Sequence, residues 1–369
     1  MSLTPSHVGD FDLSIEPTTI PEAVQLKAQA VPEETEDADA PKPMPEALDW
    51  AAIEDHREHI DFIFPGLTAG GLGMLAAPGS TGKSYMLLAL GSSVAMGKRF
   101  LDDWPLNDPA TVLAFFAEDP KPILHNRLRD LLFSQWIETD EERALLKTNF
   151  QVRSLVGYDG VVAQQNQQDK RWYRTDFLRQ IEDAIVETSA RLVLLDPLRQ
   201  FHIMEENDSG EMTELLKMLY GVAFRTKAAI LFAHHTNKQA TSTGTGDGQG
   251  AARGSSAITD NVRWQGNMIV MTDEEAKTYN IPEENRKSYV RLSLSKANYT
   301  ASLSDIWFVR GEGGILHPTT LVAPAKPGQE LSFDTSTTPS TKKTDKTNKD
   351  KTPKPARAIV PAVNEGPVF

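Results

Sequence analysis

Residues 72–97 read LGMLAAPGSTGKSYMLLALGSSVAMG, and they join an apolar run to a helical pattern through a glycine-containing turn. The run Leu72–Ala77 predicts a buried strand, and an amphipathic helix is expected after the turn. The turn matches the phosphate-loop pattern G-x-x-x-x-G-K-[ST], except that Ala77 takes the first glycine position. Such a loop binds phosphate oxygens through backbone N–H groups at a helix N-terminus. The sequence therefore predicts a nucleotide-binding loop, hereafter the P-loop.

Each P-loop residue has an expected task. We expect Gly79 and Gly82 to allow the backbone curvature, Lys83 to neutralise the β- and γ-phosphates of ATP, and the Ser84 hydroxyl to bind Mg²⁺. The predicted nucleotide contacts within this stretch are Pro78, Gly79, Ser80, Thr81, Gly82, Lys83, Ser84 and Tyr85.

Further short apolar runs alternate with helix-period stretches. The additional runs are Thr111–Ala117, Arg191–Asp196 and Ala228–His234. Because strands that alternate with amphipathic helices form βαβ units, we predict an α/β fold with a mainly parallel twisted sheet flanked by helices. Beyond residue 260, Asn267–Met271 and Tyr289–Ser295 predict antiparallel strands added at an edge.

Two acidic positions lie at the ends of predicted strands, where ligand sites of open α/β sheets are found. Asp196 ends a buried strand and is the predicted magnesium-side acid. Pro197 follows it where many related ATPases have a glutamate, so the carboxylate that activates water must lie elsewhere. We predict Glu118 for that role, in preference to Asp119; the alternative is that Glu118 caps the helix after Pro120.

A histidine pair follows the fourth strand. His234 and His235 are adjacent, so their side chains point in opposite directions from an extended backbone. One of them is predicted to contact or sense the γ-phosphate, while the alternative is a histidine packed at a strand end.

Charge is uneven along the chain. Residues 1–50 carry eleven acids and two lysines, whereas residues 335–357 carry seven cations and two acids. We therefore expect an acidic disordered segment at 1–45, one ATPase core at 46–325 and a basic disordered tail at 326–369.

Composition narrows the classes of function. The sequence has no cysteine, which excludes thiol catalysis and thiolate metal sites and suits a cytoplasmic protein. No run approaches the ~20 apolar residues of a membrane span, so no membrane partner is expected. The formal charge of −13 argues against a surface wholly coated with nucleic acid, although it allows a local basic channel.

Several longer blocks resemble one family. EDP at 118–120 with ILHNRL at 123–128, LVLLDPLRQFHIMEENDSG at 192–210, AHHTNK at 233–238, ARGSSAITDNVRW at 252–264 and SKANY at 295–299 are similar to plasmid-encoded RepA replicative helicases. The resemblance covers about residues 60–320 and implies a hexameric RecA/DnaB-like P-loop ATPase that moves on single-stranded DNA.

The resemblance also implies roles for single residues. Glu118 is implied as the catalytic carboxylate, Asp196 as the metal-side acid and His235 as the γ-phosphate sensor. Arg263 is implied as an arginine finger offered to the neighbouring subunit. Arg127, Arg310 and Lys296 match further basic positions near the site. The implied cofactors are ATP and Mg²⁺, and the implied partners are single-stranded DNA, other copies of the chain, and a replication initiator or primase.

The stretch 237–256 is a candidate DNA contact. It contains five glycines and no large apolar side chain, and it follows the histidine pair. We expect a mobile loop that binds DNA phosphates through backbone N–H groups, Lys238 and Arg253, independently of base sequence.

Two alternatives to a ring-shaped helicase remain at this point. One is a RecA-like ATPase that remodels DNA strands without processive unwinding. The other is a scaffold ATPase whose charged tails recruit partners while nucleotide sets its assembly.

Overall fold

The computed structural model describes residues 44–101, 104, 108–134, 136–236, 256–299 and 304–323. The chain divides into two compact units between His59 and Ile60. In the first unit, helix α1 (Trp50–Asp55) is capped by Asp49, whose Oδ1 accepts a hydrogen bond from the Ala51 backbone N–H at 2.9 Å. The second unit contains the P-loop, and the three-part division predicted from charge stays a prediction.

The second unit is an α/β structure. Its strands are β1 (Phe62–Phe64), β2 (Leu67–Thr68), β3 (Leu72–Ala77), β4 (Val112–Phe116), β5 (Phe150–Ser154), β6 (Ala163–Gln165), β7 (Trp172–Arg174), β8 (Leu192–Asp196), β9 (Ala229–His235), β10 (Trp264–Val270), β11 (Tyr289–Ala297), β12 (Ile306–Arg310) and β13 (Leu316–Thr319). Its helices are α2 (Lys83–Met96), α3 (Lys121–Leu132), α4 (Asp140–Asn149), α5 (Asp176–Thr188), α6 (Ser209–Thr226), α7 (Ser256–Asn261), α8 (Asp273–Tyr279) and α9 (Glu283–Arg286).

Nine of these strands, within the part of the chain that the structure describes, form one sheet in the order β13-β12-β11-β10-β3-β9-β8-β4-β5. The six strands from β10 to β5 are parallel, and β11, β12 and β13 extend the sheet in antiparallel fashion. This arrangement confirms the predicted fold class, an α/β structure whose mainly parallel sheet is flanked by helices and extended by antiparallel edge strands.

The central strands are buried on both faces. On β4, Phe116 faces the core beneath α2, α3 and α4, while Phe115 faces the core beneath α5, α6 and α7. Every residue of β3, β4 and β8 is buried, which explains why these strands read as continuous apolar runs.

One expectation about these elements is wrong, and another is confirmed only in part. Helix α2 is not amphipathic, because twelve of its fourteen residues are buried between the sheet and its neighbouring helices. The strand predicted at Asn267–Met271 spans Trp264–Val270 and is antiparallel only to β11, since on its other side it runs parallel to β3. The antiparallel strand predicted at Tyr289–Ser295 is confirmed as β11.

Candidate nucleotide site

The P-loop joins the carboxyl end of β3 to the first turn of α2. Gly82 has φ 105° and Ser80 has φ 63°, so both adopt left-handed backbone conformations. Gly82 also has little space for a side chain, since a Cβ there would lie 3.3 Å from Leu316 Cδ1. Gly79 has no positive φ, so the left-handed conformation expected of it falls instead on Ser80. A Cβ on Gly79 would have no neighbour within 4 Å.

Lys83 lies inside the loop and is buried. Its Nζ donates to the backbone oxygens of Ala77 and Pro78, each at 3.0 Å, and lies 3.4 Å from His235 Nδ1. Burial lowers the pKa of Lys83, against the opposing influence of Asp196 and Glu118. The ammonium is thus held by loop carbonyls at the start of the helix, where a phosphate would compete for it.

Ser84 and Asp196 meet at the carboxyl edge of the sheet. Their side chains are hydrogen-bonded, and Asp196 is only 6% exposed. Burial raises the pKa of Asp196 to about 6, while Ser84 and Lys83 oppose that shift. A hydroxyl and a buried carboxylate are the oxygen ligands that Mg²⁺ prefers, so this pair fits the predicted metal-binding role.

Glu118 lies beside this pair because strands β4 and β8 end in register. Phe116 pairs with Asp196, and the Ala117 backbone N–H donates to the Asp196 backbone oxygen at 2.8 Å. The Glu118 side chain is exposed, and its Oε1 accepts a hydrogen bond from Gln200 Nε2 at 3.2 Å. Helix α3 has Pro120 at its N-cap and no side-chain cap, which removes the alternative that Glu118 is a capping residue.

Asp119 has a different environment from its neighbour. Its carboxylate forms an ion pair with Arg127. The Arg127 guanidinium also lies over the Tyr85 ring, 5.1 Å from the ring centre. Asp119 therefore fixes an arginine near the first turn of α2, whereas Glu118 is an acidic side chain whose charge acts on both Lys83 and His235.

The side chains of the two histidines point in opposite directions, as their adjacency on an extended strand predicts. His234 is 1% exposed, whereas the half-buried His235 approaches Lys83. Burial lowers the pKa of His235, and the Lys83 charge lowers it further. A neutral imidazole at this position can exchange hydrogen bonds with a phosphate, so His235 is the better candidate for the sensor.

Arg310 reaches the P-loop from the distant strand β12. Its guanidinium donates to the backbone oxygens of Ser80 at 3.3 Å and Thr81 at 3.0 Å. In the turn that follows β12, the Gly313 backbone oxygen accepts a hydrogen bond from the Tyr85 hydroxyl. The β12–β13 turn therefore closes one side of the site.

Arg263 lies at the opposite edge of the sheet. Its backbone N–H donates to the Leu72 oxygen at 3.3 Å, so it is level with the beginning of β3, whereas the P-loop follows the end of that strand. The Arg263 side chain is exposed and lies near Lys296, whose Nζ donates to the Thr259 backbone oxygen at 2.7 Å. Arg263 is the one predicted catalytic residue that the fold separates from the others.

Other expectations have separate outcomes. Lys238 and Arg253 lie outside the described residues, so their predicted DNA contacts stay predictions. Gln200 was missed by the sequence reasoning, although an amide in the apolar context LRQF directly after Asp196-Pro197 was an available signal. Across the described ranges, no helix combines the length and apolarity needed to cross a bilayer.

The chain is similar to one protein family and to a solved structure. Residues 39–241, more than half of the chain, match the protein family described as AAA domain. Among solved structures, the chain is similar to one described as an ATPase domain, with 13% sequence identity and a TM-score of 0.47. That alignment covers 72% of this chain and 94% of the other.

Proposed function

Because this chain belongs to the AAA domain family, we propose that its P-loop ATPase drives a ring-shaped DNA helicase of the plasmid RepA type. The observation that carries the proposal is the division of the catalytic residues between the two edges of one sheet. The phosphate-side residues meet at the carboxyl edge, and Arg263 lies at the amino edge.

At the carboxyl edge, each side chain has a task in ATP hydrolysis. Lys83 and the loop N–H groups bind the phosphates, and Ser84 and Asp196 hold Mg²⁺, which would neutralise phosphate charge when bound. Glu118 accepts a proton from the attacking water, and His235 senses the γ-phosphate through its contact with Lys83. Arg127, which lies over the Tyr85 ring, and Arg310, which donates to the Thr81 backbone oxygen, position the nucleotide.

Arg263 completes the site of a neighbouring subunit. An exposed guanidinium that contacts the transferring phosphoryl group stabilises its developing charge. Since Arg263 cannot lie near its own P-loop, this role requires a second copy of the chain, and a head-to-tail arrangement repeats the contact around a ring. The resemblance to RepA helicases supports six subunits.

The partners follow from the same proposal. The ring encloses single-stranded DNA during replication of a plasmid, phage or other mobile element in the cytoplasm, and the stretch 237–256 contacts the DNA backbone through Lys238 and Arg253. An initiator or primase would load the ring or act beside it. The core at 46–325 carries the ATPase, and the two charged tails serve other contacts.

Unwinding of a forked DNA duplex tests the proposal. The wild-type chain should separate the strands only with ATP and Mg²⁺, and single-stranded DNA should stimulate its ATPase. Lys83→Ala should abolish both activities, because it removes the ammonium that neutralises the phosphates.

A matched control removes a lysine that is exposed at the end of α4. Lys147→Ala should retain both activities. ATP hydrolysis that DNA stimulates without unwinding would favour strand remodelling instead. ATP hydrolysis that DNA does not stimulate would favour a scaffold ATPase. Normal ATP hydrolysis by Lys83→Ala would refute the assignment of the nucleotide site.

A further inference from the structure

The carboxylate of Glu118 has a hydrogen-bond partner in Gln200. We propose that Gln200 is a positioning residue, whose amide orients Glu118 toward the attacking water, an inference that rests on the role of Glu118 proposed above. Gln200 Nε2 donates to Glu118 Oε1 at 3.2 Å across 82 residues of sequence. The bond joins the segments that follow β4 and β8, the two strands that supply Glu118 and Asp196.

The backbone of Gln200 is firmly anchored. It lies in the 3₁₀ turn Leu198–Phe201, and both end residues of this turn are 0% exposed. The Gln200 backbone N–H donates to the Pro197 oxygen at 3.0 Å, and the Phe201 oxygen accepts from the Val162 backbone N–H at 2.9 Å. The Gln200 side chain is exposed, but it extends from a turn whose position the core fixes.

Glu118 needs such a partner more than its neighbour does. Asp119 is fixed by its ion pair with Arg127, whereas Glu118 is an exposed side chain with three rotatable bonds. A neutral amide can hold one carboxylate oxygen without neutralising the charge that attracts a water proton. The second carboxylate oxygen then stays available to the water. Its orientation is fixed because Gln200 holds the first oxygen of the same carboxylate.

An isosteric variant isolates the hydrogen bond. Gln200→Met keeps the side-chain length but removes the donor, and it should lower kcat for ATP about tenfold. KM and the affinity for ATP should not change, because Lys83 and the loop N–H groups bind the phosphates. Gln200→Glu should lower kcat at least as far, since it places a second carboxylate against the first. Gln168→Met makes the same chemical change on the exposed β6–β7 hairpin and should be neutral.

A double-mutant cycle with Glu118→Gln gives the decisive test. If Gln200 acts through Glu118, Gln200→Met should cause no further loss of single-turnover hydrolysis in the Glu118→Gln protein. An equal loss in both backgrounds would overturn the proposal, as would an unchanged kcat in Gln200→Met alone. Full activity of Glu118→Gln would refute the catalytic role of Glu118 itself. This single variant therefore tests the role of Glu118 separately from the role of Gln200. Unchanged melting temperatures would show that the variants fold.

Discussion

Removal of the Arg263 guanidinium should stop hydrolysis without preventing ATP binding. Arg263 is level with Leu72, and the P-loop begins after Ala77. Five strand steps of about 3.3 Å separate those two positions by about 16 Å, while an extended arginine side chain reaches about 7 Å. Arg263 therefore cannot reach the phosphates bound to its own subunit.

The expected loss is large. An arginine finger is worth about 10³–10⁵ in rate, or about 4–7 kcal/mol of transition-state stabilisation. Arg263→Ala should bind ATP and assemble nearly as the wild type does, yet hydrolyse ATP at that reduced rate. Arg171→Ala, which removes an exposed arginine before β7, is the matched control and should remain active.

Mixed assemblies test whether the residue acts between subunits. A Lys83→Ala subunit has a defective P-loop and an intact Arg263, and an Arg263→Ala subunit has the reverse. In an equimolar random mixture of independent sites, about one interface in four joins the intact halves, so about a quarter of wild-type ATPase should return. Replacing the Lys83→Ala partner with a Lys83→Ala/Arg263→Ala partner should abolish that recovery.

One result would refute the geometric reasoning outright. If Arg263→Ala assemblies hydrolyse ATP at the wild-type rate with saturating ATP and DNA, the arginine is not a finger. The measurement is phosphate release at a protein concentration where light scattering confirms assembly of both proteins.

Two further predictions concern stability. A Cβ at Gly91 would lie 2.7 Å from Phe150 Cζ, so Gly91→Ala should lower the free energy of unfolding by about 1–3 kcal/mol in urea, while Gly79→Ala has open space and should not; equal stability of the two variants would contradict this packing. Burial lowers the pKa of His202 to about 4, below the value of about 6.5 in the unfolded chain, so its stabilising contribution is complete above about pH 6.5 and is lost as the pH falls toward 4. As the pH falls from 7.5 to 5, the wild type should lose about 2 kcal/mol of unfolding free energy through His202, and His202→Gln should not show that loss. Parallel pH dependences of the two proteins would refute this prediction.

The sequence predicts the sheet best where the strands are buried on both faces. The run Leu72–Ala77 matches β3 residue for residue, because a parallel strand covered by helices must be apolar throughout. The edge strand β5 (Phe150–Ser154) was missed, since its residues are only partly buried and its five positions alternate too briefly to distinguish a strand from a loop. Local pattern therefore identifies the centre of the sheet more reliably than its edges.

Local pattern also identifies the P-loop, because its chemistry is contained in one turn. The contacts of Arg310 with the P-loop depend on the order of β10, β11 and β12, which no local signal encodes. Arg263 has the same limitation, since its distance from the P-loop follows from the pairing of β10 with β3. For both arginines, the resemblance to a family implied a role, whereas the order of strands in the sheet shows where each residue lies.

If Arg263 acts as proposed, the opposite edges of the parallel sheet set the direction in which subunits assemble. A contact that joins the carboxyl edge of one subunit to the amino edge of the next is head-to-tail, and it either closes into a ring or continues as a filament. In a closed ring, every P-loop receives an Arg263. In an open chain, the terminal P-loop has none, so an opened ring of six subunits would lose about one-sixth of its activity. Closure therefore completes the last catalytic site in the proposed helicase, in addition to enclosing the DNA.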